Sequence, residues 1–307
     1  MDCHADTSSL KDRKIDYVGL IDRMKSNRIS ITRAWEEVLR TRNKLLPPFL
    51  FKYMSFYGDN IDDEELNLNK LNSIRDRRVH LSAQTELNDP FDCKGYYYDS
   101  DAIDSLRKPE LRKTHANNHY SDLIRMASFT ENGFNCMPMW AHYANNHQGI
   151  CLAYDVSDVR NRFLRNAVFP VQYTIDRRDL TQYFISEVSD YRKKSKTDAD
   201  KLSPSGDASN WSLTSALQIG SFIKQTSWSY EAEWRCCISV HEAIIYNNGP
   251  VKQEIDATPS AIYIGWKREG AIQECLISIG NTIGIPVYKM TFDDSSPRYE
   301  LVPKLLN

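Results

Sequence analysis

EAEWRCCISV, residues 231–240, is the stretch on which the reading of the fold turns. Apolar residues dominate its second half, and side chains alternate across a strand, so two faces of different chemistry are predicted. Ala232, Trp234, Cys236, Ile238 and Val240 make one face, suited to a core. Glu231, Glu233, Arg235, Cys237 and Ser239 make the other, which stacks two carboxylates and a guanidinium in one row. Neighbours in such a row lie roughly 7 Å apart. Carboxylates that close raise the pKa of one of them unless Arg235 compensates, a setting for acid–base or cation-stabilising work. On a solvent-facing strand the same row is only an Arg–Glu ladder.

Working outward, residues 211–224 read as a helix leading into this strand, and the polar run 189–210 as an insertion or lid. GICLAYD (149–155) is apolar on both faces, which predicts a central strand. FLFKYMSF (49–56), VHLSA (79–83), MASFT (126–130) and VQY (171–173) are further strand candidates, with a short helix around 66–74. The C-terminal part reads as strand AIYIG (261–265), helix AIQECLISIG (271–280) and strand IPVYKMTF (285–292). Residues 8–46 carry apolar positions at helical spacing, broken at Ser26-Asn27 and stopped by Pro47-Pro48. The chain therefore divides into a helical N-terminal extension, 1–46, docked on the rest or serving as a partner-binding arm, and a mixed α/β main domain, 47–307.

Composition narrows the function classes. Lys and Arg total 39 against 41 Asp and Glu, which argues against an electrostatic nucleic-acid binder. Seven cysteines (3, 93, 136, 151, 236, 237 and 275) follow no C-x-x-C or zinc-knuckle spacing, and several sit in apolar runs, as reduced thiols of a cytoplasmic protein would. No stretch approaches the ~20 apolar residues of a membrane span, so no membrane association is expected.

Three further groupings carry polar chemistry. Ser128-Phe129-Thr130-Glu131 precedes Trp140-Ala141-His142-Tyr143, where Trp140 and Tyr143 share a face if the segment is helical. Lys52-Tyr53-Met54-Ser55 places Tyr53 and Ser55 on one face of the first strand. Asn88-Asp89-Pro90-Phe91-Asp92 has the chemistry of a turn. His142 and His147 are five apart, a poor spacing for a helical metal pair, and no metal site is assigned. Neither a phosphate-cradling Gly-rich loop nor a G-x-S-x-G elbow occurs.

The order F-K-Y-x-S, L-N-D-P-F-D, S-F-T-E, W-x-x-Y, G-I-C-L-x-Y-D and Y-E-A-E-W-R resembles the bacterial proteins grouped as domain-of-unknown-function family 2971, over about residues 49–240. More distantly, Tyr53, Ser128 and Glu231-Ala232-Glu233 stand in an order similar to that of ADP-ribosyltransferases. There an aromatic or basic residue, a Ser or Tyr element and an E-x-E element line a split sheet. Lys52 where that superfamily favours His, and S-F-T for S-T-S, depart from its pattern. This likeness implies an α+β fold with a split, mostly antiparallel sheet flanked by helices, and NAD as cofactor. It further implies Glu233 stabilising the ribose cation, Glu231 acting on the acceptor, and Tyr53, Ser55, Ser128, Trp140, Tyr143 and Arg235 binding the cofactor. The acceptor would be a macromolecule, protein or nucleic acid, as suits a toxin or phage-defence effector. Two other readings stay open. One is a metal-dependent nuclease or hydrolase using Asp89, Asp92, Glu231 and Glu233; the other is a non-catalytic sensor or interaction module working through the N-terminal helices.

Overall fold

A computed structural model describes residues 15–58, 61–107, 124–186, 211–239 and 254–307. The run 189–210 and Val240 lie outside the described residues. Nine strands form the main sheet: β1 (Phe49–Met54), β2 (Ser82–Ala83), β3 (Ile124–Thr130), β4 (Ile150–Asp155), β5 (Val168–Pro170), β6 (Glu233–Ser239), β7 (Ala261–Ile264), β8 (Val287–Phe292) and β9 (Leu301–Leu305). Their order is β9-β8-β7-β4-β1-β3-β6-β5, with β2 also pairing β3. Only β7 and β8 run parallel among these neighbours; the rest are antiparallel. The fold is thus mixed α and β around a largely antiparallel sheet, as expected. β4 is central and buried over its first five residues, in keeping with its unbroken apolar sequence.

The sheet parts beside β3. β1 meets β3 at one register pair, Phe51 with Thr130, whereas it runs along β4 for six. Further down the same edge of β3, Ser82 of β2 pairs with Met126. Ser128 lies midway between these two pairings, at the opening.

Helices cover both faces. The helices α1 (Tyr17–Lys25) and α2 (Ile31–Leu45) come first, capped by the Asp16 and Ser30 side chains. The break predicted at Ser26-Asn27 falls between them, and Pro47-Pro48 follows α2. Next come α3 (Ile61–Arg75), α4 (Ser100–Ser105), α5 (Met137–Tyr143), α6 (Arg162–Ala167), α7 (Trp211–Gly220) and α8 (Ala271–Ile283). On one face, Leu71 and Ile74 of α3 and Leu276 and Ile279 of α8 pack on Leu50, Phe129, Leu152, Trp234 and Cys236. On the other, Tyr17, Leu20, Ile21, Ala34 and Val38 of the first two helices join Met126, Cys237, Leu217 and Phe222. A third apolar cluster gathers Tyr53, Met139, Trp140 and Cys151 around α5.

The predicted strand 231–240 begins two residues late. Residues Thr226–Glu231 form a 3-10 turn, and Ala232 takes the left-handed conformation (φ 43°, ψ 54°) before β6 starts at Glu233. Within β6 the predicted alternation holds. Trp234 and Cys236 enter one core and Cys237 the other, so the row Glu233–Arg235–Cys237 is covered and the solvent-ladder reading is excluded.

Candidate functional site: a charge-paired cavity at the sheet opening

Glu231 and Glu233 are each 3 % exposed and Arg235 is fully buried. Burying such charges is costly unless each is paired and hydrogen-bonded, so the partners decide the site. Arg235 clamps Glu233 with two hydrogen bonds, Nε to Oε1 at 2.7 Å and Nη2 to Oε2 at 2.9 Å. It also donates to the Ser221 carbonyl at 2.8 Å and to the Asp92 carboxylate. Lys224 bridges the two glutamates from the short strand Ile223–Gln225, with Nζ 2.8 Å from Glu231 Oε2 and 3.1 Å from Glu233 Oε2. Asp92 is 3.6 Å from the same ammonium, and the Trp228 ring centroid is 4.9 Å away. Tyr143 donates its hydroxyl to Glu231 Oε1.

The left-handed Ala232 lets Glu231 join this network from outside the strand. Backbone pins hold the bend. Thr130 Oγ1 donates to the Glu231 carbonyl at 2.5 Å, Asn132 Nδ2 to the Tyr230 carbonyl at 2.6 Å, and the Glu233 amide to the Tyr173 hydroxyl at 2.8 Å. The two glutamates thus converge through a bend rather than through strand parity.

Their electrostatics differ. Burial raises the Glu231 pKa and the neighbouring Glu233 charge raises it further, against the pull of Lys224. Burial also opposes ionisation of Glu233, but Arg235 and Lys224 overcome it and hold that carboxyl at about 2. Burial works against the Lys224 charge too, yet Glu233, Asp92 and Glu231 raise its pKa. Burial and Glu231 push the Tyr143 hydroxyl far above its usual range, so it remains a proton donor to the carboxylate.

This network forms one wall of a cavity of about 350 Å³ at the sheet opening. Glu231, Glu233, Tyr53, Ser55, Ser128 and Tyr143 all line it, together with Lys52, Asp92, His142 and Lys224. Six of the eight residues singled out from sequence therefore meet at one hollow. Arg235 stands behind Glu233, where it positions the carboxylate. Trp140 is the correction: it is fully buried, donates Nε1 to the Phe134 carbonyl at 2.7 Å, and stacks on His147. α5 is helical as supposed, but its inner side packs Trp140 into the third cluster while Tyr143 reaches the cavity. Tyr53 presents only part of its ring; it packs edge-on to Trp140 at 5.1 Å and donates to the Gly133 carbonyl at 2.8 Å.

Sequence pattern alone gives no role to Lys224, Tyr173 or the Ser221 carbonyl, and it marks Asp92 chiefly as part of a turn. The available signal was the sequence Phe222-Ile223-Lys224, a cation in an apolar run just before two glutamates. Asp89 does serve the turn, accepting from the Phe91 amide at 2.8 Å. No group of three or more His, Cys, Asp or Glu side chains arranged for a metal ion occurs among the described residues. No helix among them is long and apolar enough to cross a membrane.

Fold and site together define an α+β protein with an ion-paired cavity where its sheet opens. Residues 139–236 match the model of a family described as protein of unknown function, DUF2971. The matched span runs from α5 into β6 and holds Tyr143, Lys224, Glu231, Glu233 and Arg235; β1 and Ser128 lie before it. No curated protein and no solved structure matches the chain.

Proposed function

We propose that the chain is an ADP-ribosyltransferase-like enzyme that cleaves NAD and passes ADP-ribose to a macromolecular acceptor, in the manner of a toxin or phage-defence effector. One observation carries this reading: Tyr53, Ser128, Glu231 and Glu233 line the same cavity, at an opening in the sheet. Its volume of about 350 Å³ is within the ~300–1,000 Å³ usual for small-molecule sites. In the reaction the nicotinamide–ribose C–N bond breaks, its electron pair leaves with nicotinamide as the neutral leaving group, and positive charge develops on the ribose. Glu233, ionised and held by Arg235 and Lys224, is a fixed negative charge for that cation. The acceptor forms the new bond to the ribose carbon and yields its proton to Glu231, whose raised pKa suits a base. Tyr143 orients the Glu231 carboxylate, and Tyr53 and Ser128 wall the pocket.

The metal-dependent alternative fits less well. The carboxylates of Asp92, Glu231 and Glu233 already face Lys224 and Arg235, which occupy the place a divalent ion would take. The sensor reading is also weaker, because the first two helices are packed into a core. Incubating the protein with NAD and cell lysate and following nicotinamide release tests the proposal. Nicotinamide release that depends on Glu231 supports it; an intact, folded protein that leaves NAD untouched overturns it.

A further inference from the structure

At the opening of the sheet, β3 has a stretch of edge facing neither neighbour: Thr130 pairs with Phe51 and Met126 with Ser82, and Ser128 lies between. Lys52 reaches into this space from β1. Its ammonium donates to the Ser128 carbonyl at 3.2 Å and sits 5.5 Å from the centroid of the Phe129 ring. No carboxylate is within ion-pair distance of it among the described residues, whereas Lys224, on the same cavity, contacts Glu231 and Glu233. An ammonium has three donors, and the carbonyl takes one. Glu233, the acid with the strongest electrostatic pull on Lys52, forms its ion pairs with Arg235 and Lys224 and not with Lys52. The cavity thus holds a cation with spare donors, beside the half-buried Ser82 and Ser128.

The geometry points to Lys52 as the anion-binding point of the cavity, where it takes a phosphate or pyrophosphate oxygen of the bound ligand. Burial supports this reading, since it pushes the amine down to about 8 against the pull of Glu233, and an arriving anion would stabilise its charged form. The choice of a pyrophosphate-bearing nucleotide rests on the proposed function; the anion site itself does not.

Calorimetric titration of the full chain with inorganic pyrophosphate, ADP-ribose and nicotinamide, on the parent, Lys52→Met and Lys52→Arg, tests this. Lys52→Met keeps the apolar stem against Phe129, so the fold should hold; Lys52→Arg keeps the charge. Loss of one charge-assisted contact should weaken pyrophosphate and ADP-ribose roughly 10- to 100-fold in Lys52→Met, with nicotinamide unchanged and Lys52→Arg close to the parent. Equal pyrophosphate affinity in parent and Lys52→Met, or none in the parent, would overturn the site. So would a lowered melting temperature in Lys52→Met with all three ligands weakened alike. Lys52-dependent pyrophosphate binding with no gain for ADP-ribose, and no nicotinamide release from NAD, keeps the anion site and removes the NAD reading.

Discussion

Glu231 and Glu233 carry the same carboxyl group two residues apart, yet they shift in opposite directions from the ordinary value of 4.5: burial, then the Glu233 charge, raises Glu231, whereas Arg235 and Lys224 overcome burial and lower Glu233. Glu233 is bidentate to a fully buried guanidinium, so its charge belongs to the fold as much as to the site. Replacing it with Gln leaves Arg235 under-compensated, and breaking a buried pair costs about 3–5 kcal/mol. Glu233→Gln should therefore lower the melting temperature sharply and cannot by itself separate catalysis from folding. Glu231→Gln is the cleaner probe: the amide oxygen still accepts from Tyr143 or Lys224, so stability should change by about 1 kcal/mol or less while nicotinamide release falls roughly 100-fold or more. The pH dependences also differ in sign. Glu233 is depressed, so its stabilisation is complete above the ordinary carboxylate value and is lost as pH falls toward about 2. Glu231 is raised, so the folded protein holds that proton to higher pH than the unfolded chain, and its contribution to stability declines as pH rises through that window. A base must be ionised to work. The acid limb of the nicotinamide-release rate should lie above the ordinary carboxylate range and vanish in Glu231→Gln; a limb within that range would assign the proton elsewhere. The acids were legible in the sequence because two carboxylates beside a tryptophan and an arginine are unusual on a strand. Lys224 was not, because its contact with them depends on the parallel pairing of Ile223–Gln225 with Gln172–Thr174, and nothing local encodes that.

At the scale of the element, the bend at Ala232 decides how the two acids meet. A non-glycine residue in the left-handed region costs about 1 kcal/mol through the clash of its Cβ with the backbone, and local patterning gives no warning of it. The alternation of Trp234, Cys236 and Ile238 is visible in sequence; the start of the strand is not, since Glu231-Ala232 extends that alternation without interruption. Tertiary pins from Thr130 and Asn132 impose the bend. The substitution series at this position separates the two geometries. Ala232→Gly should hold the folding stability or raise it by up to ~1 kcal/mol, because glycine enters the left-handed region freely. Ala232→Val should lower it by more than ~1 kcal/mol, because a branched side chain is worse there than a methyl. In a straight strand the order reverses, with valine favoured and glycine disfavoured. Thermal melts of the two variants decide it. The same reasoning explains why β4 is easy to read: Gly149 just before it, where an added Cβ would clash with the Met54 carbonyl oxygen, and its apolar run both belong to one short segment.

For the whole molecule, the question is whether residues 1–46 are an appendage. Pro47-Pro48 follows the end of α2, as the sequence predicts, but the end of a helix is not a boundary in packing. Tyr17, Leu20, Ile21, Ala34 and Val38 are all at most 2 % exposed and share a core with Met126 of β3, Cys237 of β6 and Phe222, next to the strand that carries Lys224. Tyr17 stacks on Phe222 with centroids 5.5 Å apart, and buried Arg42 donates to the Val168 carbonyl of β5 at 2.8 Å. The first two helices therefore complete the layer that covers the charged face of β6. Removing them would wet that apolar layer and bring water toward Arg235, whose pairing with Glu233 and Asp92 relies on being dry. Deletion of residues 1–46 should give a chain that fails to fold or aggregates, rather than a folded core lacking only a partner. A milder variant makes the point without truncation: Ile21→Ala should cost about 2–5 kcal/mol, the range for emptying a packed aliphatic site. It should also weaken ligand binding at the cavity in step with the loss of folded protein. Denaturant unfolding monitored by circular dichroism measures both variants. A truncated chain that is monomeric, melts cooperatively near the parent temperature and binds ligands as the parent does would restore the helices to the status of a separate arm.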